Sequence, residues 1–501
     1  MEPRDIPSEP GEPAVGNASM DSNAMLTSAR FLLKSGEIER AFVLYHALAQ
    51  QGHDFLSELS SIDLRQHPTF RSGFTFESGT KRALLPAMQF KQALMARLSL
   101  QDAFEAFRAV VTLPDCERVE SRPLRSLCKI ASERALVFHE TAPAGERFLA
   151  HPPKVIGTGN HRVLECVTRT QFVACLADAR LRGRSAIIEF DDAALLDYEE
   201  AELEGTDQIF EFDPAVLQGD NRQLSFMTSD SASIGLDEAF NLLGRHTPEF
   251  GHWIWEYVPK YVAATMSGVM PPVPVLVDAG MPETHRQLLE LVLPAGAAVI
   301  EVPAFAAVRV QRLWCAPALF YLPIFLKRLD RAWPNYAVAS PDRFAAVIRE
   351  MWKRIEPALP VRSGPERIFF ARKGGQHRKL ANDTAIKRLA ESRGFTVIYP
   401  QDHYFLDQLS LVRNSRMIVG LEGSAIYLAF FARPGTKLCV LSPPHIAGLT
   451  AYTSLLEALG IADITIMTGP VVRPDASYPH RSDFSIPEDV FQAFLDGGSA
   501  G

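Results

Sequence analysis

Hydrophobic residues recur three and four positions apart from about Met25 to Ala135, which is the spacing of one apolar helix face. The first block reads LTSARFLLKSGEIERAFVLYHALAQQG and is broken at Ser35-Gly36. The second block, at 79–111, contains LLPAMQFKQALMARLSLQDAFEAFRAVV. The pattern therefore predicts a helical domain over 24–150.

One stretch of this region has the texture of a helical repeat. Ala41, Tyr45 and Leu48 resemble the second helix of a single tetratricopeptide unit. A solenoid needs about three stacked units to be stable, so we interpret 24–150 as a TPR-like accessory domain and not as a repeat array. The acidic, Pro/Gly/Ser-rich residues 1–23 predict a disordered leader.

After Pro152-Pro153 the pattern changes to short β-type runs, including RVLECVT, FVACLADARLRG and RSAIIEFDD. From Thr247 onward strands and helices alternate, as in VPVLVDAG, PETHRQLLELVLP and AAVIEVP. This rhythm is typical of a parallel sheet covered by helices. The predicted fold class is therefore α/β, with a first α/β domain at 151–339.

A second alternating series starts at Ser340, an expected N-cap followed by Pro341. It predicts a second α/β domain at 340–501. The predicted strands are RIFFAR, FTVIYP, RMIVG and KLCVLSP, separated by helices that include SAIYLAFFARPG. Ligands of such sheets bind at the carboxyl ends of the strands. We therefore expect the loops after Arg372, Pro400, Gly420 and Ser442 to form a site.

Composition adds three constraints. The 501 residues carry 51 basic and 59 acidic side chains, so the net charge of 51 − 59 = −8 argues against a nucleic-acid-coating protein. The six cysteines show no CxxC spacing, which predicts reduced thiols, a cytoplasmic compartment and no structural metal site. No run of 18 apolar residues and no signal peptide is present, which predicts a chain without a transmembrane segment.

One short segment opposes the acidic balance of the chain. RIFFARKGGQHRK, at 367–379, has five Lys or Arg residues and no acidic residue. Arg372 closes a strand, and Arg378 precedes a helix that starts at Asn382 and Asp383. One guanidinium group can donate two hydrogen bonds to phosphate oxygens. The start of a helix adds backbone N–H groups that can also bind a phosphate. The segment is a candidate diphosphate site; the alternative is a solvated basic loop.

A glycine turn, GLEGSAIYLAFF, follows the strand RMIVG. Gly420 and Gly423 allow close approach of a ligand to the backbone. Glu422 would repel a phosphate, so we assign it to sugar or ribose hydroxyls. The alternative is an ordinary strand-to-helix connection. No GxGxxG motif with a following acidic residue is present, which disfavours a dinucleotide-dependent oxidoreductase.

The segment EFGHWIWEYVPKY places His252 and Glu256 four residues apart, on one face of a helix. The unperturbed pKa of a histidine lies nearest neutrality, which suits a general base for an alcohol. Either residue could be the base. The alternative is a structural histidine among core aromatic residues.

In this order the three segments resemble glycosyltransferase family 61, the capsular polysaccharide biosynthesis-type glycosyltransferases, over about 163–444. Gly251-His252-Trp253 with Glu256 and Pro259 is similar to the family's GHW…E…P segment. Glu422 and Ser424 stand where the family's GxHGA turn has His and Ala. The remaining matched positions are Arg372, Arg378, Asn382, Asp383 and Gln408, then Gly420, Gly423, Phe430 and Pro434.

The resemblance implies a GT-B-like pair of Rossmann-like domains and an inverting, metal-independent glycosyltransferase of EC 2.4 type. No cofactor is expected beyond a nucleotide-sugar donor. Donor binding is expected from Arg372, Arg378, Asn382, Asp383, Gln408, Gly420, Glu422, Gly423 and Ser424. The basic segment agrees with metal independence, because cationic side chains can neutralise a diphosphate without Mg²⁺.

The expected acceptor is a glycan or lipid-linked glycan of surface polysaccharide biosynthesis. A cytoplasmic chain without a membrane span would reach a lipid-linked acceptor through peripheral contact with the inner membrane. The acidic net charge predicts no nucleic-acid partner. Glu422 and the helical region leave a second hypothesis open. It is a catalytically silent nucleotide- or glycan-binding protein that binds a protein partner through its N-terminal helices.

Overall fold

The computed structural model describes most of the 501-residue chain, which divides into two compact units. One unit is 1–74 with 82–112, and the other is 75–81 with 113–501. The described residues are 22–34, 98–110, 113–158, 163–197, 213–220, 222–320, 339–360, 363–374, 378–444, 449–474 and 482–497, with isolated positions at 44, 48, 91, 94 and 95.

In the first unit two helices are described, α1 (Ser22–Lys34) and α2 (Leu100–Val110). Both lie in stretches that the apolar spacing predicts as helical. Ser99 begins α2, because its hydroxyl accepts a hydrogen bond from the Asp102 N–H at 3.2 Å. Residues 1–21 of the predicted leader, and most of the stretch compared with a tetratricopeptide unit, lie outside the described residues.

The described part of the second unit is a mixed α/β structure. Its strands are β1 (Arg118–Ser126), β2 (Val137–Ala142), β3 (Arg147–Ala150), β4 (Lys154–Ile156), β5 (Leu164–Val167), β6 (Gln171–Arg182), β7 (Ile188–Phe190), β8 (Ala193–Leu196), β9 (Val216–Gly219), β10 (Gln223–Thr228), β11 (Ile234–Asn241), β12 (Val275–Asp278), β13 (Val299–Val302), β14 (Ala307–Cys315), β15 (Arg367–Phe370), β16 (Thr396–Ile398), β17 (Met417–Leu421), β18 (Lys437–Ser442), β19 (Ile464–Thr468), β20 (Val471–Arg473) and β21 (Asp483–Phe484).

Nine further α-helices are described in this unit. They are α3 (Leu127–Arg134), α4 (Phe250–His252), α5 (Val258–Met266), α6 (Glu283–Val292), α7 (Pro341–Ile355), α8 (Asp383–Ser392), α9 (Phe405–Asn414), α10 (Leu449–Ala458) and α11 (Glu488–Leu495). None of the described helices is long and apolar enough to cross a membrane.

The helical prediction for 24–150 is wrong over 118–150, where β1, β2 and β3 surround the single helix α3. Strands β1 and β2 contain many polar, partly exposed side chains, so their apolar residues do not alternate as a strand pattern requires. They are strands because β2 pairs with the long strand β6, and β1 pairs with β10 and β8. Pairing with distant strands overrides a weak local pattern here.

Eleven described strands form one large sheet, with the order β13-β12-β11-β14-β6-β7-β8-β1-β10-β9 and β2 beside β6. Only β13, β12, β11 and β14 form a run of parallel pairs. The remaining pairs are antiparallel apart from β1 with β8. The first α/β part is therefore a mixed sheet, and not the fully parallel sheet that its helix and strand alternation predicts.

The second sheet is parallel throughout, with the order β16-β15-β17-β18-β19-β4. Its strands from β15 to β19 follow the doubly wound order 2-1-3-4-5. The strands are added in one direction from β15 to β16 and in the other direction from β17 onward, so the strand order reverses between β15 and β17. Strand β4, which comes from 154–156, adds the last position. The second sheet thus takes one strand from a part of the chain assigned to the first α/β domain.

Alternating side chains of the second sheet enter two cores. Ile368 and Phe370 belong to a cluster that also contains Phe240 and Val275 of the large sheet, whereas Phe369 packs on the opposite face. Burial on both faces explains the nearly continuous apolar runs that identified these strands. The two sheets therefore share one apolar core on their facing sides.

The helix predicted after RMIVG has a different geometry. Ser424–Phe431 forms a 3-10 helix. Most of its side chains are buried, including Ile426, Leu428, Phe430 and Phe431. A helix with apolar residues on nearly every side, such as SAIYLAFF, is one that the fold buries.

Candidate functional site

The reversal of strand order between β15 and β17 locates the candidate site. Arg372 follows β15, and Glu422 follows β17. The two strands pair directly, with Phe370 opposite Gly420. In doubly wound sheets the crevice between two such strand ends is the usual ligand site. Spacing alone predicted both loops, and the sheet order brings them together.

Two arginines converge on Glu422. The Arg372 Nη2 donates a hydrogen bond to the Glu422 backbone carbonyl at 2.7 Å. The Arg378 Nη1 forms an ion pair with the Glu422 carboxylate, which is 93% buried. Burial, followed by the nearby charge of Arg378, lowers the pKa of Arg372. The cluster contains two cations and one anion, so it retains an excess of positive charge.

The backbone conformation around the cluster explains why residue 423 is a glycine and shows strain at Arg378. A Cβ at Gly423, which has φ of +152°, would lie 2.1 Å from the Arg372 guanidinium, so only glycine fits there. Arg378 has φ of +56°, in the left-handed region that a bulky side chain rarely adopts. Its Nε is buried and has no hydrogen-bond partner among the described residues. Strain and an unsatisfied donor coincide at a residue that faces the site.

The other basic residues of 367–379 point elsewhere. Arg367 lies at the opposite end of β15, where it donates to the Arg393 carbonyl at 3.1 Å. Lys373 forms an ion pair with Asp402. The basic run therefore divides into two arginines at the site and residues with other contacts.

Three predicted donor-binding residues make contacts within the protein. The Asn382 amide donates to the Ile486 carbonyl at 2.7 Å and accepts from its N–H at 3.2 Å. Asp383 pairs with Lys387 one turn along α8. Gln408 is 96% buried and donates to the carbonyls of Pro400 and His403 at 2.9 and 3.0 Å. These side chains hold the loops of the site in position.

His252 lies where α4 ends and a π-helical turn, Trp253–Tyr257, begins. Single π turns inside helices are frequent at functional sites. The turn places the His252 Nδ1 2.9 Å from the Glu256 Oε2, and both side chains are buried. A carboxylate on Nδ1 accepts its N–H and leaves Nε2 as the basic nitrogen. We refer to these two residues as the dyad.

The loop before the dyad is held by a buried carboxylate at the end of β12. Asp278 accepts hydrogen bonds from the Gly244 N–H at 3.1 Å and from the Thr247 hydroxyl. Burial raises the pKa of Asp278, although the nearby Arg184 opposes this effect. The same loop carries His246, whose pKa burial lowers to about 4.

Tyr427 connects the dyad with the arginine cluster. Its ring lies against Gly251, where a Cβ would be 2.7 Å from a Tyr427 ring carbon and 3.7 Å from the Ser424 hydroxyl. The Trp255 ring packs against Tyr427 with ring centroids 4.3 Å apart and the ring planes tilted by 37°. Burial raises the pKa of Tyr427, and the charges of Glu422 and Glu256 raise it further. A single half-buried ring therefore contacts the surroundings of both groups.

A pocket opens beside the dyad at the carboxyl ends of β11 and β14, where the parallel part of the large sheet also reverses its order. Glu256 and His246 line it. Its other polar lining residues are Asp197, Asn241, Arg245 and Lys260. Charged groups of both signs in one pocket suit a polar, hydroxyl-rich ligand.

Spacing could have indicated two residues that the sequence reasoning missed. His246, Glu249, His252 and Glu256 follow at intervals of three, three and four, which places them on one side of a turn and helix. No spacing in the sequence indicated Tyr427. Its role depends on its contact with Gly251, which only the structure shows. The six cysteines are free thiols, as the lack of CxxC spacing predicts, and five of them are buried.

Comparison with known proteins identifies one family. Residues 250–439 match the family model described as Glycosyltransferase 61. The matched range contains the dyad, Arg372, Arg378 and the glycine turn. The resemblance stated from the motifs is thereby confirmed over these residues, whereas 163–249 lie outside the match. No curated protein matches the chain.

We predict that Gly251→Ala destabilises the protein by about 1–3 kcal/mol, because the added methyl group overlaps the Tyr427 ring. Urea unfolding followed by tryptophan fluorescence measures this difference. Gly235→Ala is the matched control, because a Cβ there meets no atom within 4 Å. Equal unfolding free energies for the two variants would contradict the close contact.

Proposed function

With a Glycosyltransferase 61 domain at residues 250–439 as the premise, we propose that the protein is an inverting, metal-independent glycosyltransferase. It moves a sugar from a nucleotide-sugar donor to a hydroxyl of a glycan or lipid-linked glycan. One observation carries the proposal: Arg372 and Arg378 meet at the strand-order reversal of the parallel sheet, next to the dyad.

The two sheets take different substrates in this proposal, as a GT-B-like pair. The parallel sheet binds the donor at the ends of β15 and β17. The large sheet binds the acceptor in the pocket at the ends of β11 and β14. In support, each location is a reversal of strand order, where sheets of this type bind ligands.

Arg372 and Arg378 bind the diphosphate and stabilise the charge that develops as it leaves. Guanidinium groups form forked, charge-assisted hydrogen bonds to phosphate oxygens. Burial strengthens these bonds, since water does not screen the charges. This supplies the electrostatic function that Mg²⁺ performs in metal-dependent transferases.

Glu422 contacts Arg378 and therefore competes with a phosphate oxygen for the same donors. We assign its carboxylate to two states. In the absence of donor the carboxylate pairs with the Arg378 guanidinium. When the donor binds, the carboxylate turns to the hydroxyls of the transferred sugar. Gly420, Gly423 and Ser424 keep the turn close to the ligand, while Asn382, Asp383 and Gln408 position the loops.

The dyad takes the proton of the acceptor hydroxyl. The acceptor oxygen attacks the anomeric carbon from the face opposite the diphosphate, and the bond from that carbon to the diphosphate oxygen breaks. The proton passes to the dyad, and the nucleoside diphosphate leaves with the bonding electrons. Support for this role comes from the 2.9 Å contact between the His252 Nδ1 and the Glu256 Oε2. A carboxylate so placed stabilises the imidazolium.

The proposed biological setting is supported by the motif resemblance and by the absence of disulfide-type cysteine spacing. These features favour surface polysaccharide biosynthesis in the cytoplasm, with peripheral membrane contact for a lipid-linked acceptor. A protein partner for the N-terminal helices remains part of the alternative, in which the chain binds its ligand without turnover.

We predict that tag-free protein releases nucleoside diphosphate from one member of a nucleotide-sugar panel, in the presence of an acceptor glycan and of EDTA. His252→Ala and Glu256→Gln should lower kcat by about 10²–10⁴-fold, because a positioned base contributes that much. A coupled assay for the released diphosphate, with product anomers assigned by NMR, measures both.

Pyrophosphate binding is the control for the dyad variants, since neither residue contacts the phosphate site. Loss of turnover in EDTA would overturn metal independence, and a retained anomeric configuration would overturn inversion. Binding of a nucleotide sugar with no turnover of any would favour the silent alternative.

We predict that Arg372→Ala weakens pyrophosphate binding by about 10–150-fold, which corresponds to about 1.5–3 kcal/mol for a charge-assisted hydrogen bond. Isothermal titration calorimetry measures the affinity. Arg367→Ala is the matched control, because that arginine lies on the same segment but contacts the Arg393 carbonyl at the other end of β15. Equal losses in both variants would refute a specific site.

We predict that Glu422→Gln tightens pyrophosphate binding about tenfold, or by about 1.4 kcal/mol, because it removes the anion that pairs with Arg378. The same change should weaken binding of the complete nucleotide sugar relative to binding of pyrophosphate. Asp402→Asn is the control, since that carboxylate pairs with Lys373 and not with the two arginines. A parallel change for both ligands would remove the assignment of Glu422 to hydroxyls.

A further inference from the structure

We propose that His246, Glu249 and His252 bind a divalent transition-metal ion, with zinc as the probe, and that the bound ion blocks the dyad. One ligand atom from each of the three residues lies within 4.8 Å of the other two. Among the described residues this is the group of histidine, cysteine and acidic side chains that could hold a metal ion. The binding claim is independent of the proposed function, whereas the blocking effect rests on it.

The measured distances suit zinc. The His246 Nδ1 lies 3.3 Å from the Glu249 Oε1, and the His252 Nε2 lies 3.4 Å from the Glu249 Oε2. With Zn–N bonds of about 2.0–2.1 Å, neighbouring ligands of a tetrahedron are roughly 3.3–3.4 Å apart. Each imidazole therefore has one nitrogen within 3.4 Å of an oxygen of the same carboxylate.

The backbone explains why these residues meet. A turn joins His246 to Glu249, whose N–H donates to the His246 carbonyl at 2.9 Å. Glu249 is the N-cap of α4, which places His252 three residues further on the same side. Asp278 anchors the start of this loop through Gly244 and Thr247. The arrangement is therefore held by the fold before any ligand binds.

His246 is the second observation that points to a ligand. Its side chain is 88% buried, and neither ring nitrogen has a hydrogen-bond partner among the described residues. Buried imidazole nitrogens usually have a partner, and an imidazole lone pair is a preferred zinc ligand. The Glu249 carboxylate lies near the His246 Nδ1 but does not form a hydrogen bond with it. A metal ion would give this nitrogen a partner.

Glu256 completes the chemistry of the site. It contacts the His252 Nδ1, which directs Nε2 towards Glu249. Histidines that bind metals almost always donate their other N–H to such an outer carboxylate. Two imidazoles and one carboxylate, with a fourth position for water, favour zinc over Mg²⁺, which requires oxygen ligands in octahedral geometry.

The metal would not assist the diphosphate, since the phosphate site is formed by Arg372 and Arg378. Instead it would occupy the Nε2 lone pair of His252, so that the dyad could no longer take the proton of the acceptor hydroxyl. Zinc binding and base function are therefore mutually exclusive. His246 and Glu249 precede the matched residues 250–439, so two of the three ligands are outside the family match.

Calorimetric titration of zinc into tag-free, EDTA-treated and desalted full-length protein tests the site. We expect one zinc per chain, and binding lost in His246→Ala and in Glu249→Gln. Glu256→Gln should bind about 10–100-fold more weakly, as expected for an outer-shell partner. His139→Ala is the control, because that histidine is exposed on β2. Mg²⁺ should not bind.

Cobalt(II) provides a second measurement that does not depend on affinity. A tetrahedral site gives intense visible absorption, and this band should be absent in Glu249→Gln protein whose circular dichroism matches the wild type. Equal zinc binding in wild type and in a folded Glu249→Gln variant, or no binding by the wild type, would overturn the metal site.

The blocking effect is measured as the ratio of turnover with zinc to turnover with EDTA. We expect at least tenfold inhibition in the wild type and a ratio near one in Glu249→Gln. Zinc that binds without inhibiting would overturn the blocking effect alone. If no donor is turned over in EDTA, the proposed function fails while calorimetry and cobalt absorption still decide the metal site.

Discussion

The contact between Gly251 and Tyr427 joins the chemistry of the two sheets. Gly251 lacks the side chain that would overlap the ring, so the helix start that carries His252 can lie directly on the 3-10 helix after β17. The dyad and the arginine cluster come from strand ends in different sheets. They become neighbours because both approach the ring of Tyr427.

Charge and burial act together at this junction. Glu422 neutralises part of the charge of Arg372 and Arg378; the carboxylate is buried, and the two arginines are half-buried. A buried guanidinium needs a partner, which the carboxylate supplies until a diphosphate does. Similarly, Glu256 fixes the orientation of His252, and Glu249 contacts its second nitrogen. Each candidate reactive group is thus paired with a buried carboxylate.

Strands β15 to β18 of the second sheet could be predicted from the sequence, because strands buried on both faces have nearly continuous apolar runs. RIFF, MIVGL and KLCVLS became strands where expected. Strands β1 and β2 could not be predicted, because their stability comes from pairing with β10 and β6 rather than from their own pattern.

The sequence by itself determined the alternation of strands and helices, the basic run with Arg372 and Arg378, the glycine turn, and the pairing of His252 with Glu256 across one helical turn. These features are local, and a spacing of a few residues fixes them. Only the tertiary structure decided that Asn382 and Gln408 bond to backbone groups, and that Glu422 pairs with Arg378. The same holds for Tyr427, which lies between the two groups. Strand order and burial bring residues from distant parts of the chain together, and no local pattern records those distances.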